Sequence, residues 1–429
     1  MYELIDQMED EIVKCVRCGV CRIHCPTFLA TNAESAVSRG KIYLVDAVVK
    51  GELDLTDEFA RDMYRCVNCR TVTVNCPTSV RVHDIILQVR AQLVKSRGLS
   101  DLKDIIFDIS APQAGMPVPR PVDKRLAFFQ EEISRNLPSD NPWQGLLPLT
   151  GSKEEFSSLL KGLSSPQAGM PVPPNSSRMK VGYFVGSAID MMYPEIGRAS
   201  VNVLRALDFE VIVPPDQKCS GYSFETLGDV DTAAYLARAN MEAFAKADVD
   251  AIVTSDSSCA LEMKQGYAKL VEKTDMDVCP TAVKEFAGKV YEISEFLTEK
   301  AELDESKLGQ VSRKVTYHEA CTLGKGLEIS DPPREILNAI PGLEFVEMDG
   351  AELCCGSGCG VFAMGRNYDL SMKIAERKFD NIMATGADIV VTSCPHCQLQ
   401  LGEMLASKGV EKEFLHPVQI LAESIGLRA

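Results

Sequence analysis

The sequence lacks several features that would fix its class at once. It has no run of 18 or more apolar residues, the minimum for a membrane-spanning helix. Its longest apolar stretches, such as Val181–Val185, are only strand-length. It has no surplus of basic charge: 45 Lys and Arg stand against 61 Asp and Glu, for a net charge of −16. A nucleic-acid binder would show a basic stripe, and adhesion to anionic lipid needs clustered cations. It has no P-loop, and no full dinucleotide fingerprint either. The nearest approach, G-S-G-C-G over Gly356–Gly360, is interrupted by cysteine. Flavin or NAD is therefore expected on a partner and not on this chain. The opening residues carry Glu3, Asp6, Glu9, Asp10 and Glu11, unlike a leader, which is basic and then apolar. The expected location is cytoplasmic, peripheral to the inner membrane only through a partner.

What the sequence does have is cysteine: 16 in 429 residues, most of them clustered. Cytosolic thiols stay reduced, so clustered cysteines read as metal ligands and not as disulfides. The length suggests two to four domains. Residues 1–98 hold seven cysteines among helical patterns over Arg39–Lys50 and Asp84–Arg97. Residues 99–178 hold none and are proline-rich, as expected of a connector. They contain PQAGMPVP twice, at Pro112–Pro119 and Pro166–Pro173; such segments wrap a surface or join domains.

The first block contains C-x2-C-x2-C-x3-C-P at Cys15, Cys18, Cys21 and Cys25. This is the bacterial ferredoxin spacing, in which the fourth cysteine serves the other cluster. A second run holds Cys66, Cys69 and Cys76 in register, with Val72 where the third cysteine belongs. Cross-ligation assigns Cys15, Cys18, Cys21 and Cys76 to a first [4Fe–4S] cubane. It leaves Cys25, Cys66 and Cys69 for a second cluster. With one thiolate missing, that site holds [3Fe–4S], [4Fe–4S] with a non-cysteine ligand, or no cluster; three aligned thiolates favour a cluster, whose potential should be raised. A zinc-bound scaffold does not explain the fourfold spacing.

Residues 179–429 read as an internal repeat. Each copy runs through a strand, a helix, a strand, a small-residue turn, a long helix and a buried strand. The long helices are expected over Thr232–Lys246 and Tyr368–Thr385, and the buried strands over Asp250–Thr254 and Asp388–Thr392. The order predicts α/β units with largely parallel sheets. Cysteines fall in loops after strands, where such folds place their sites. The second copy contains Cys321, Cys354–Cys355, Cys394 and Cys397. Adjacent thiolates repel unless a metal neutralises them.

These motifs resemble the cysteine-rich CCG domain. That domain occurs in pairs in the heterodisulfide reductase catalytic subunit. The same pair follows a ferredoxin-like domain in the iron–sulfur subunits of glycolate oxidase and anaerobic glycerol-3-phosphate dehydrogenase. The resemblance implies an α + α/β fold: a helical two-motif ferredoxin-like domain (1–98), the connector (99–178), then two tandem α/β CCG domains (179–300 and 301–429). It also implies a non-cubane [4Fe–4S] cluster on Cys321, Cys354, Cys355, Cys394 and Cys397, one able to attack a disulfide. In the first copy the equivalent positions read Ser187, Cys219, Ser220, Asp256 and Cys259. Three thiolates are gone, so that copy is expected to be a structural pseudo-repeat.

His318 and His396 are candidates for hydrogen bonding to a cluster or for proton relay. Cys359 is expected to be a small buried hydrophobe, and Cys279 structural. Two functions fit. One is an oxidoreductase subunit whose C-terminal cluster reduces or forms a disulfide. The other is a relay from a flavoprotein dehydrogenase to quinone or a membrane cytochrome b.

Overall fold

The computed structural model describes residues 2–107, 121–144, 178–274, 276–301, 303 and 305–427. Both PQAGMPVP segments lie outside them. The chain forms two units.

The first unit comprises Met1–Glu154, Ser223–Thr232 and Cys354–Arg377 and is helical. Its principal helices are Ser38–Val49, Asp57–Tyr64, Val82–Arg97, Leu99–Phe107 and Pro121–Asn136. Thr56 starts the second of these by accepting from the Phe59 N–H at 3.2 Å. Val82–Arg97 buries Ile85, Ile86, Val89 and Leu93 at three- and four-residue spacing. It ends at Gly98, whose φ of +79° suits only glycine comfortably. The segment read as a connector supplies core to this unit. Phe129 and Trp143 stack against Phe107 and Phe224 with ring centroids 5.5–6.3 Å apart. The Trp143 indole donates to Asp229 Oδ2 at 2.6 Å.

The second unit comprises Glu155–Tyr222, Ala233–Leu353 and Lys378–Ala429. It contains two four-stranded sheets. The strands of the first are β1 (Lys180–Phe184), β2 (Glu210–Ile212), β3 (Ala251–Thr254) and β4 (Val290–Glu292). Those of the second are β5 (Lys314–His318), β6 (Glu344–Val346), β7 (Ile389–Thr392) and β8 (Glu413–Leu415). Their orders are β2-β1-β3-β4 and β6-β5-β7-β8, and every pairing is parallel. Register repeats between the copies: Val181 faces Ala251 as Val315 faces Ile389. The central strands β3 and β7 are buried throughout, and β1 and β5 at all but their first residue, as both-face coverage requires. The copies share one continuous core, which includes Val203, Val253, Val391 and Leu421.

The long helix expected over Tyr368–Thr385 is two helices, Tyr368–Glu376 and Phe379–Ala384. The break leaves Lys378 fully buried. Its ammonium donates to the carbonyls of Gly350 (2.9 Å), Ala351 (2.8 Å) and Leu353 (3.2 Å). All three ammonium donors are thereby used on the strand-end loop that leads into Cys354.

Two equivalent N-caps meet in the shared core. Glu292 caps Ile293–Lys300 and His416 caps Pro417–Ser424, each within a capping box. His416 Nδ1 accepts from the Val418 N–H at 3.1 Å, so the ring proton belongs on Nε2. That nitrogen lies 3.7 Å from Glu292 Oε1, and both side chains are fully buried. Burial pushes the Glu292 carboxyl up from 4.5 to about 8 and His416 down to about 3, so both are neutral across the range between. A carboxyl raised in the folded state stabilises fully below its unfolded pKa and loses that contribution as pH rises through the folded one. We therefore expect Glu292→Gln to gain on wild type in urea unfolding by up to about 1.4 kcal/mol per pH unit from pH 4.5 to 8. An unchanged difference across that range would contradict a neutral Glu292.

Candidate iron–sulfur sites

In the helical unit, the first cysteine loop turns through Arg17 (φ +56°) and Gly19 (φ +90°). The second repeats this turn at Asn68 (φ +57°) and Arg70 (φ +59°). Each left-handed pair curls its loop tightly enough for successive thiols to point the same way. Cys25 is then carried away by Pro26, the first residue of the helix Pro26–Thr31.

Cys15, Cys18, Cys21 and Cys76 line one pocket. Cys25, Cys66 and Cys69 line a second. The pockets hold about 370 and 340 Å³ of space respectively, partly open to solvent. Ser38, Val72 and Val82 line both, so the two sites are neighbours. Val72 occupies the position of the missing thiol. None of the 16 cysteines is tied up in a disulfide. Soft thiol sets of this kind suit iron–sulfur clusters, and the polar groups around the sulfurs match that chemistry.

Three of these cysteines have a threonine two residues on, and each threonine hydroxyl meets its sulfur. Cys25 Sγ lies 3.0 Å from Thr27 Oγ1, Cys69 Sγ 3.3 Å from Thr71 Oγ1, and Cys76 Sγ 3.5 Å from Thr78 Oγ1. A deprotonated sulfur receives these as O–H donors. Burial raises the Cys25 and Cys21 thiols. At Cys76 burial also pushes upward, but the Thr78 hydroxyl and the N–H groups of Val80, Thr78 and Ser79 outweigh it and lower the thiol overall. Sequence reasoning missed these threonines, although C-P-T, C-R-T and C-P-T stand openly at Cys25, Cys69 and Cys76. It also missed Arg90, which is buried in Val82–Arg97. Arg90 donates to the carbonyls of Cys66 (2.6 Å), Thr226 (2.8 Å) and Met63 (3.0 Å) and so pins the second cysteine loop.

The C-terminal cysteines divide between the units. Cys354 and Cys355, both buried, open the segment that belongs to the helical unit. The Gly356 N–H donates to Cys354 Sγ at 3.3 Å, and Ser371 Oγ donates to the Gly356 carbonyl at 2.9 Å. Two residues on, a Cβ at Gly358 would lie 3.3 Å from the carbonyl of Val67, between Cys66 and Cys69. The glycine loop after Cys355 therefore packs directly on the three-cysteine site. Cys359 follows at φ +56° and is only half-buried, unlike the small buried hydrophobe expected there.

The α/β unit holds the remaining three. Cys321 follows the end of β5, where His318 is buried. Cys394 is the N-cap of the helix Pro395–Ser407, with His396 and Cys397 buried in its first turn. The first copy keeps this frame with only two of the five thiols, Cys219 and Cys259. The Gly221 N–H donates to Cys219 Sγ at 3.4 Å, the counterpart of Gly356 and Cys354. Asp256 instead caps its own short helix. It accepts from Ser258 N–H (2.9 Å) and Ser258 Oγ (2.5 Å), with Cys259 Sγ at 3.6 Å. The vacated ligand position is thus closed by local hydrogen bonds. Cys279 is exposed as the N-cap of Pro280–Lys289, its thiol lowered by the Thr281 and Ala282 N–H groups.

Comparison with known proteins agrees with this arrangement. The model of the 4Fe-4S dicluster domain matches residues 11–80. The model of the CCG cysteine-rich domain matches residues 181–264 and 315–402. A Bacillus subtilis protein named "Probable glycolate oxidase iron-sulfur subunit" is 28% identical over 97% of this chain and 95% of its own. A Methanosarcina mazei protein, named as part of the dihydromethanophenazine:CoB–CoM heterodisulfide reductase, is 25% identical over 97% of this chain and 95% of its own. Lactate utilization protein A 1 of Bacillus mycoides is 31% identical over 57% of this chain and 97% of its own. With a dicluster ferredoxin motif ahead of two CCG repeats, and a relative matched along nearly its whole length, this chain belongs to the CCG-domain iron–sulfur oxidoreductase family.

Proposed function

We propose that this chain is the electron-transfer subunit of a heterodisulfide-reductase-like redox complex, carrying a cluster in each thiol-lined pocket and one at the C-terminal CCG motif. The observation that carries the reading is adjacency within the helical unit. The four-cysteine pocket shares walls with the three-cysteine pocket, and the Cys66–Cys69 loop bears the glycine loop that follows Cys355. Such a series makes a wire of short steps. Bound clusters supply one-electron carriage.

The residues have distinct work. Cys15, Cys18, Cys21 and Cys76 hold a cubane. Cys25, Cys66 and Cys69 hold the second cluster, for which Val72 offers no ligand. Among the described residues no further cysteine lines that pocket, and both ring nitrogens of His83 there already meet Thr73 and Asp84, which favours [3Fe–4S] over a cube with a non-cysteine ligand. Once Cys25 and Cys69 are deprotonated, the Thr27 hydroxyl can turn from the Ala36 carbonyl to Cys25 Sγ and the Thr71 hydroxyl can donate to Cys69 Sγ, stabilising added negative charge. Cys321, Cys354, Cys355, Cys394 and Cys397 form the third ligand set on the strength of their spacing, and that non-cubane cluster meets the disulfide. His318 lies at the end of the strand leading to Cys321. A flavoprotein dehydrogenase or membrane cytochrome b is the partner, and would hold the chain at the inner membrane. Among the described residues no helix is long and apolar enough to cross a membrane.

A second reading has its own support. Asp256 closes the first repeat's site with hydrogen bonds, which removes half of a two-cluster disulfide mechanism. The full-length likeness to a glycolate oxidase iron–sulfur subunit points the same way. On this reading the chain only relays electrons from a flavin dehydrogenase.

Val72→Cys restores the fourth thiolate. Electron paramagnetic resonance of anaerobically purified protein should show an oxidised three-iron signal in wild type and lose it in the variant. Two ordinary cubane signals from wild-type 1–98 ligands would contradict the three-cysteine argument. Cys355→Ser separates the two functional readings. A signal induced by disulfide substrate in wild type and abolished in Cys355→Ser supports disulfide chemistry. Its absence with every disulfide tried, alongside intact dehydrogenase-coupled reduction of the clusters, supports the relay.

A further inference from the structure

Lys41 lies in the first turn of Ser38–Val49 and is only 1% exposed. A lysine in an amphipathic helix normally keeps its ammonium in water. This one donates to the carbonyls of Ser35, at 3.1 Å, and Ala36. Among the described residues it forms no ion pair with a carboxylate; Asp62 acts on it only at longer range. A buried cation without an anion is one of the costliest arrangements a fold can carry.

The anions that answer it are sulfurs. Burial holds the Lys41 ammonium below the usual lysine range, and Cys66, then Cys25, are the groups that most oppose this and favour the charged form. The contact is built into the backbone. The Ala36 carbonyl that receives the Lys41 ammonium also receives Thr27 Oγ1 at 3.2 Å and Cys25 Sγ at 3.8 Å. Once Cys25 loses its proton to ligate metal, it can no longer donate to that carbonyl, and the ammonium remains there beside a negatively charged sulfur. Gly40 permits this packing, since a Cβ there would collide with the Glu34 carbonyl.

The four-cysteine pocket has no such charge. Its cations, Arg17 and Arg39, both reach solvent and are already paired, with Asp46 and Glu34 respectively. The sites are therefore unequal twice over: one has four thiolates and carboxylate-paired cations that reach solvent, the other three thiolates and a sealed ammonium. Less net negative charge means easier reduction.

We propose that Lys41 is the fixed counter-charge of the Cys25, Cys66 and Cys69 site, and that it makes that site's cluster the more easily reduced of the two in the helical unit. Electrons then run downhill from the exposed Cys18 end towards the glycine loop after Cys355. Lys41 is a positioning residue, acting through charge on groups it does not ligate. The inference rests on the reading that both pockets carry clusters.

Redox titration of the whole protein, followed by electron paramagnetic resonance, tests it. In Lys41→Met the reduction equilibrium of the second cluster should fall at least tenfold, ~59 mV for one electron. The first cluster's should not move, and Lys41→Arg should restore the wild-type value. A second midpoint unmoved in Lys41→Met overturns the proposal, as does an equal shift at both clusters. If Lys41→Met does not fold, Lys41→Gln against Lys41→Arg decides: equal midpoints overturn the proposal, and a fall only in Gln upholds it. Wild-type protein lacking a second cluster would instead defeat the reading beneath it.

Discussion

Neither thiol-lined pocket in the helical unit is completed by a single loop. Cys76 must come back to the loop of Cys15, Cys18 and Cys21, and Cys25 must cross to that of Cys66 and Cys69. The rest of the unit serves this exchange. Pro26 and Pro77 turn the chain away after the two crossing cysteines. The helix Ser38–Val49 begins in the gap, with Ser38 on both pockets and Lys41 behind one of them. Val82–Arg97 lies beneath, and its buried Arg90 ties the carbonyl of Cys66 to the Ser223–Thr232 segment.

The CCG repeats add a second layer of economy. Each copy sends the segment after its small-residue turn into the helical unit: Ser223–Thr232 from the first and Cys354–Arg377 from the second. Within that unit Phe224 joins the aromatic core, while Gly358 rests on Val67. On the proposed reading, the first copy keeps the scaffold role and gives up the metal chemistry. Its Asp256 shows how: a carboxylate at a ligand position can be satisfied by its own helix N-terminus, which a row of thiols cannot. Tyr183 to Ser255 and Tyr317 to Ser393 remain as matching contacts, at 3.1 and 3.4 Å, behind the two unlike sites.

Much of this was legible in the sequence because the chemistry is local. Cysteine spacing exposes the two ferredoxin loops, and Val72 stands out only against that spacing. The repeat exposes β1, β3, β5 and β7, whose apolar runs are long enough to read. β4 and β8 are three residues each and sit beside helix starts, so no period distinguishes them. Lys41 and Lys378 look like surface residues in helical patterns. Their burial depends on carbonyls that only the folded loops bring together. The break at Lys378 is invisible for the same reason. Phe129 and Trp143 stand in a stretch whose composition reads as linker, yet tertiary packing makes them core. The packing of Gly358 on Val67 joins residues far apart in the chain, and no local pattern encodes it.

The central claim is that the helical unit carries two unlike iron–sulfur clusters in series. Mössbauer spectroscopy of isotopically labelled, anaerobically purified protein tests it most directly. The account predicts iron in every cluster-forming thiol set, with one all-thiolate cubane and one three-cysteine species resolved as separate components from the ferredoxin-type sites. Zinc in place of iron, or a single ferredoxin-type component with the Cys25, Cys66 and Cys69 site empty, would contradict it.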